Sequence, residues 1–449
     1  MKYDVIVAGA GPSGCMAAIA AARMGAKVLL VEKNAYPGGM NTGAMVCPLM
    51  AFHSGSAQIV KGIPQEVIDA LQKKDATLGH IPDPLGVASS ITPIEPAMLR
   101  LVYFEMLSAE PNITMLLHSF VCEVEMEKNA ITGIQVVNKS GISLYQGKRF
   151  IDATGDGDLG ALCRIGFDLG RPADNLSQPM SLMFKLGGVI YPKVIEYIQK
   201  NPEQFVLSTS ARLEEYLAVS GFFDIVKTAR EKGDFNIPRD RVLFFQGIHP
   251  GEIFVNTTRI IRLSGISAKD LTLAETDAHK QVGELLLFFR NYLPGFEDSY
   301  LSSIADVTGV RESRRFHCRY ILDIEDVYEE RQSDESVAVC AFPIDIHDPA
   351  GQDLTWVRRK KDFCYDIPYG TMVPKQVENL LITGRCIGAT HEALASARIT
   401  PTAMALGQAA GTAAALSIQT KSSIRDLDVK KLQEELRKQG AVSARADLL

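Results

Sequence analysis

Three glycines at Gly9, Gly11 and Gly14 in "VIVAGAGPSG" suit one task, holding a pyrophosphate against bare backbone. Gly9 permits a tight turn and Gly11 lets the main chain approach phosphate oxygens. Gly14 lets the next helix pack closely, with its N-terminal amides facing the anion. Ala10, Pro12 and Ser13 complete the loop, and Glu32, followed by Lys33, stands 18 residues beyond Gly14 at the end of a second strand. A carboxylate there accepts hydrogen bonds from both ribose hydroxyls and repels a 2′-phosphate. Strand, glycine turn, helix, strand and acid in register make a dinucleotide site, without separating NAD from FAD. "GDGDLG" at Gly155–Gly160 repeats the spacing. There, Asp156 and Asp158 would meet phosphate oxygens with like charge, and no second strand ending in an acid follows. It is not a second site.

Other chemistry-bearing residues are more scattered. "GVRESRR" puts Arg311, Arg314 and Arg315 at or near a strand end. One of them could clamp a substrate carboxylate bidentately; Glu312 offers an internal salt-bridge partner, and that structural reading leads. Tyr365 and Tyr369 of "YDIPYG" could line a pocket, although tyrosines at this spacing more often pack. "DIHDP" at Asp345–Pro349 has metal-like residues, but an aspartate–proline turn explains it better. Eight cysteines, at 15, 47, 122, 163, 318, 340, 364 and 386, include no CxxC pair. Their spacing supports neither zinc, an iron–sulfur cluster nor a redox dithiol, so no metal is expected.

The elements that must position these groups follow from periodicity. Residues 3–8 read as a buried strand, Gly14–Gly25 as a helix and "AKVLLVE" as the next strand. "GIPQEVIDALQKK" starts a helix with Pro64 in its first turn. Capping boxes are expected at Thr92 with Glu95 and at Thr272 with Glu275. Residues 113–155 alternate as short strands, with turns at Lys128–Asn129 and Ser140–Gly141. "SQPMSLMFKLGGV" and "RVLFFQGIHPGEIFVNTTRI" read as strands of a second region. Near the C-terminus "NLLIT" delivers Gly384 and Arg385, Thr400 is the expected N-cap of a helix with Pro401 and Thr402 in its first turn, and Asp428 caps a tail helix stopped by Gly440.

Composition bounds the class. The 449 residues suit two domains, and 46% hydrophobic with 22% charged residues describes a globular protein. A net charge of -6 and a pI of about 5.8 argue against a nucleic-acid partner. The densest basic run, "RRKK" at Arg358–Lys361, reads as a solvated turn. The chain enters a strand at once, so neither a secretory signal nor a transit peptide is expected. The apolar stretch at 401–418 reads as a buried helix rather than a membrane span. A cytoplasmic location is expected, with no membrane partner and with homo-oligomerisation open.

The combination of "GAGPSG", "GG" at Gly38–Gly39, "DATGDGD" and C-terminal "GRC…ATHEA…SAR…P…GQAAGTAA" resembles a family of FAD-dependent oxidoreductases. These have the glutathione-reductase-like FAD-binding fold and are related to the flavoprotein of heterodisulfide reductase. The resemblance spans almost the whole chain, including "VRESRR" and "YDIPYGTMVPK". Cluster-binding cysteine motifs of the heterodisulfide reductase type are missing, so that electron-transfer role is not carried over.

The resemblance implies that Gly38, Gly39 and Met40 pass the ribityl and pyrophosphate region. Paired glycines agree with close backbone approach, or with a plain surface turn. It implies that Ala153, Thr154 and Gly155 lie against the cofactor, and that the backbone of Val121 or Cys122 touches the adenine. It places the helix beginning near Pro401 with its N-terminus at the flavin pyrimidine edge. That terminus contributes roughly 0.3–1 kcal/mol, or about 10–20 mV at ~30 mV per 1.4 kcal/mol. Arg385 or Arg398 would therefore have to supply a full charge, unless they hold phosphate or neighbouring carboxylates. His391 and Glu392 could act as acid–base groups, or His391 could simply bond backbone beside the cofactor. Cys47 could be a redox thiol or a buried structural cysteine. No histidine occupies Gly38–Thr42, where succinate-dehydrogenase-type relatives attach flavin covalently, so noncovalent FAD is expected.

The expected architecture is α/β. A Rossmann-like, three-layer FAD-binding domain with a mostly parallel sheet spans 1–169 plus 371–420. An inserted α+β substrate/cap domain covers 170–370, and 421–449 form a helical tail. The expected function is hydride transfer between a small-molecule substrate and flavin N5, with an unknown electron acceptor or donor. FAD is preferred over NAD because "DATGDGD" and "GRC" need a flavin to serve. The alternatives are a non-catalytic FAD-binding protein or a flavoprotein that relays electrons within a redox complex.

Overall fold

A computed structural model describes residues 2–448, except 352, 353, 357–359 and 361, with backbone only at 354–356. Arg358, Arg359 and Lys361 of the basic run therefore lie outside the described residues. Strand β1 (Lys2–Ala8) is wholly buried from Val5 onward, as a strand covered on both faces must be. Helix α1 (Pro12–Arg23) starts with Pro12 in its first turn and is buried from Ser13 to Ala22. Its run of alanines and Gly14 makes such burial possible. Strand β2 (Val28–Val31) lies parallel to β1, from Val5 opposite Val28 to Ala8 opposite Val31.

Helices α2 (Ile63–Gln72) and α3 (Pro96–Ser108) follow, then β3 (Ile113–Leu116), parallel to β2. A meander of β4 (Phe120–Glu127), β5 (Ala130–Asn138) and β6 (Gly141–Asp152) comes next. The first half of β6 pairs antiparallel with β5, while Gln146–Asp152 run parallel beside β1. One long strand thus joins the meander to the parallel sheet.

A second, antiparallel sheet contains β7 (Phe184–Gly187), β8 (Ala218–Gly221), β9 (Val242–Gln246), β10 (Ile253–Val255) and β11 (Tyr300–Ile304), in the order β8-β9-β10-β7-β11. Helix α4 (Ala268–Tyr292) buries Ala274, Val282, Leu285 and Phe289. The chain then returns as β12 (Leu380–Ile382), parallel to Phe150–Asp152 of β6. It continues through α5 (His391–Ala397), α6 (Thr400–Gln419) and α7 (Val429–Lys438). The main sheet therefore reads β3-β2-β1-β6-β5-β4, with β12 beside β6. One buried apolar cluster runs from Val5 and Val28 to Phe244 and Phe289, so both sheets share a core.

Helix α6 crosses α1 at very short range. A methyl group at Gly407 would stand 2.1 Å from the Ser13 carbonyl oxygen, and one at Gly411 2.1 Å from that of Ala17. These small residues belong to a helix buried between neighbours. Among the described residues no helix is long and apolar enough to cross a membrane.

Three caps differ from the sequence expectation. Helix α3 begins at Pro96 with Glu95 as N-cap, and Thr92 ends the short strand Ser90–Thr92. Both Pro93 and Pro96 fit a first turn; Glu95 pairs with Lys185 at 3.2 Å instead of closing a box. Helix α4 begins five residues earlier, where Ser267 accepts a hydrogen bond from the Asp270 amide. Thr272 is therefore interior. Ile399, not Thr400, caps α6, leaving Thr400 and Pro401 inside the first turn. Asp428 does cap the tail helix, accepting from the Lys430 and Lys431 amides.

Candidate functional site

Four parallel strands end at one edge. Ala8, Val31, Asp152 and Ile382 stand side by side, tied onward by Gly9 N–H to Val31 O (2.7 Å), Ala153 N–H to Ala8 O (2.8 Å) and Thr383 N–H to Asp152 O (2.9 Å). The segments that leave those strands form the cofactor edge expected of an open parallel sheet. Gly9 has φ +93°, and a side chain there would place Cβ 2.5 Å from Ala153 O. Gly14 packs on the loop itself, since a Cβ would lie 1.9 Å from Gly9 O. At Gly11 the nearest atom to such a carbon is 4.0 Å away, so this position faces open space. The three glycines thus serve three steric needs.

Glu32 is buried and accepts from the amides of Ala10 (2.7 Å) and Asn34 (2.9 Å), bracing the glycine loop as well as facing the cavity. Gly38 donates its N–H to Ala10 O at 2.7 Å, which docks the Gly38–Gly39 turn on the same loop. Asp152 is fully buried and accepts from the Thr154 amide, the Thr154 hydroxyl and the Gly160 amide at 3.1, 2.7 and 2.8 Å. Burial pushes its carboxyl up to about 6 despite those donors. The aspartate shapes "DATGDGD" into a cofactor-side loop.

A cavity of about 860 Å³, near the top of the ~300–1,000 Å³ range of small-molecule sites, starts at this edge and extends under the second sheet. It gathers Gly9, Gly11, Pro12, Ser13, Glu32, Lys33, Gly39, Met40, Ala153, Thr154, Gly155, Gly384, Arg385 and Arg398. Val121 instead lines a small adjoining recess with Gly9, Glu32 and Thr154. Ala10, Gly14 and Gly38 stand behind the loop they shape. Pro401 and Thr402 are buried in the first turn of α6, where Thr402 Oγ1 and nearby Asn41 Oδ1 lack protein partners. Asn41 Nδ2 donates to Thr400 Oγ1 at 3.2 Å, joining that turn to the Gly39 segment.

The arginines divide their work. Arg385 pairs with Asp156 at 2.6 Å, and Arg398 with Asp345 at 3.7 Å. Each expected full charge is thus opposed by a carboxylate. Arg314 donates to Asp156 O (2.8 Å) and Asp158 Oδ1 (3.1 Å), holding the "GDGD" turn. Arg315, and not Arg311, is the partner of Glu312. Arg311 lines the cavity, donating to Pro179 O at 2.6 Å and Ser181 Oγ at 2.9 Å.

The two acid–base candidates of α5 stand apart from the cavity lining. His391 is buried, with Nδ1 2.9 Å from Glu312 Oε1, inside the Arg315–Glu312 cluster. Neither it nor Glu392, which occupies the first turn of α5, lines the cavity. Asp345 and His347 do, from the short strand Asp345–His347 that leads into the expected aspartate–proline turn, where Asp348 accepts from the Ala350 amide at 3.1 Å. His347 Nε2 lies 3.3 Å from Asp345 Oδ2. Burial would raise the Asp345 carboxyl, but His347, Arg398 and Arg311 outweigh it and hold it well below the usual range. Burial, opposed by Asp345 and reinforced by Arg311 and Arg239, pushes His347 down to about 3, so it is neutral near pH 7. Cavity residues absent from the sequence reading include Arg239, Arg241, Ser181 and Asn256. The only local signal was "RDR" opening an apolar strand.

Cys47 lines the cavity, and burial first, with Glu95 adding, pushes its thiol well up, which keeps it protonated. Tyr365 and Tyr369 are both fully buried and pack. Among the described residues, Glu95, His249 and Glu252 bring metal-ligand atoms together, but Lys185 already pairs with both glutamates.

The sequence profile described as "FAD dependent oxidoreductase" matches residues 4–436. The chain belongs to this family. Its cofactor is FAD, and the site fits it: a glycine cradle opens at Gly11, a helix N-terminus follows, and Glu32 waits at the next strand end. A curated relative, the tRNA uridine 5-carboxymethylaminomethyl modification enzyme MnmG of Chlamydia abortus (strain DSM 27085 / S26/3), is 31% identical over 186 residues, 40% of this chain and 28% of that enzyme. The chain spans less than a third of the length of the curated relatives it matches. Among solved structures, the flavin-dependent brominase Bmp2 aligns with TM-score 0.48 at 11% identity, covering 98% of this chain and 83% of that one. The p-nitrophenol 4-monooxygenase PnpA from Pseudomonas putida DLL-E4 aligns with TM-score 0.47 at 12% identity, covering 97% and 83%.

Proposed function

We propose that this family member transfers a hydride between a small-molecule substrate and flavin N5 of noncovalently held FAD, with a separate electron acceptor or donor completing the cycle. The observation that carries this reading is the continuous cavity joining the glycine loop to a recess under the antiparallel sheet. Bound FAD supplies the two-electron chemistry.

The chain supplies position and environment. The backbone of Gly11–Ser13 and the N-terminus of α1 hold the pyrophosphate, and Glu32 holds the adenosine ribose. Gly39–Met40, Ala153–Gly155 and Gly384–Arg385 wall the middle of the cofactor. The first turn of α6 offers backbone amides to the flavin ring. Met50, Leu85, Val87, Val206, Leu243 and Phe245 give the recess apolar walls that exclude water from a reacting carbon. Kinship with the heterodisulfide reductase flavoprotein is proposed for the FAD-binding part alone, because no CxxC pair offers a cluster site.

The test is a visible spectrum of the purified protein, repeated anaerobically during titration with hydroxy acids, sugars, steroids and NAD(P)H. Bleaching of the flavin band by one compound class is the expected outcome. A flavin that no donor reduces would overturn the catalytic reading, and a protein that cannot take up FAD would overturn the site.

A further inference from the structure

The cavity under the antiparallel sheet holds more positive charge than its own carboxylates balance. Arg239 precedes β9 and is 5% exposed; its Nη1 donates to Asn256 O at 2.6 Å. Arg311 enters after β11, and its hydrogen bonds also go to neutral acceptors, Pro179 O and Ser181 Oγ. Both line the cavity. Among the described residues neither has a carboxylate within 4.0 Å, and each uses only Nη1 in its hydrogen bonds. Each guanidinium is thus held by one edge, with Nε and Nη2 left for another acceptor.

The neighbouring carboxylates, Glu275 and Asp345 among them, offset this charge only in part. Arg241 is matched by adjacent Asp240 at 2.8 Å, and Arg385 by Asp156. Arg398 shares Asp345 with neutral His347. Burial, then Arg398, Arg239 and Arg259, push Arg311 well below its ordinary value against the pull of Asp345. An arginine that keeps its proton bears that as repulsion which a bound anion would relieve.

The geometry points to a substrate that carries an oxyanion, a carboxylate or a phosphoryl group, held by Arg311 and Arg239 with its remaining body against the apolar recess. This rests on the proposed oxidoreductase reading and deepens it. A guanidinium's planar fork matches the paired oxygens of either oxyanion. Leu243 and Phe245, on the strand that follows Arg239, line the same cavity and favour an apolar body beside the charged end. Both arginines here are binding groups, and no proton transfer is assigned to them.

The experiment uses the FAD-loaded protein. Acetate, succinate, benzoate and inorganic phosphate are titrated against the flavin absorption spectrum, beside the neutral analogues acetamide, succinamide and benzamide. At least one oxyanion is expected to bind tenfold or more tighter than benzamide or its own amide. Arg311→Gln and Arg239→Gln should each abolish that preference while FAD stays bound. A response to phosphate alone would identify the oxyanion as phosphoryl, and a response to a carboxylate alone as carboxyl. If the protein holds FAD yet prefers no anion, or if the preference survives both substitutions, the anion inference falls and the FAD reading stands. If FAD itself is not taken up, the reading beneath it falls too. The comparison of anion with amide needs only the unmodified chain, so a variant that misfolds does not remove the test.

Discussion

At the scale of single residues, identical amino acids carry different duties because their surroundings differ. Gly9 needs its positive φ, Gly14 needs to lack a side chain against Gly9 O, and Gly11 needs to leave a void. A glutamate at position 11 would fill that void with bulk and with charge of the same sign as a pyrophosphate. Gly11→Glu should weaken FAD binding more than about 100-fold, ~2.7 kcal/mol, while far-ultraviolet circular dichroism stays unchanged. A variant that purifies with one FAD per chain would refute the placement. The sequence made all three glycines legible, since steric roles at a glycine turn are local. It could not separate Arg311 from Arg315, four positions apart: one enters the cavity and the other is buried against Glu312. His391 shows the same blindness, for its partner Glu312 lies 79 positions away.

At the scale of elements, the contact between α1 and α6 couples packing to the cofactor. Ser13 belongs both to the glycine loop and to the crossing point, because Gly407 lies against its carbonyl. Gly407→Ala must push α1 outward, with an overpacking cost of about 1–3 kcal/mol and a shift of the loop. The expected result is a lower urea midpoint together with FAD affinity reduced about tenfold. Gly411→Ala meets Ala17, one turn further along α1, and should lower stability with little effect on affinity. Equal affinity losses in the two variants would show that the crossing does not act through the loop. The strands and helices around this contact were legible from apolar runs and glycine turns. Cap positions were less so, because two prolines or two hydroxyl residues near a helix start offer equivalent local signals, and long-range partners such as Lys185 for Glu95 choose between them.

At the scale of the whole molecule, buried charge between the two sheets links the site to global stability. His347 sits at about 3 in the folded protein and near ~6.5 when unfolded. Between those values the unfolded chain binds a proton that the folded chain does not, so stability rises with pH across this window. Its contribution is complete above ~6.5 and falls by about 1.4 kcal/mol for each pH unit below it. Urea unfolding at pH 7 and pH 5 should therefore differ by about 2 kcal/mol more in the wild type than in His347→Gln. An equal difference in both would place the pH dependence elsewhere.

The sequence by itself determined the dinucleotide loop and the acid after β2, and its resemblance across the chain pointed to the family. The loop and the acid depend on short-range order: a turn's sterics, a helix's start, a strand's apolar run. Only the tertiary structure decided which polar side chains meet under the antiparallel sheet. Arg239, Arg311, Asp345 and His347 come from three separate stretches of chain, and nothing local marks them as neighbours. The excess of arginine charge over carboxylate around them arises only when the chain closes one sheet over the other.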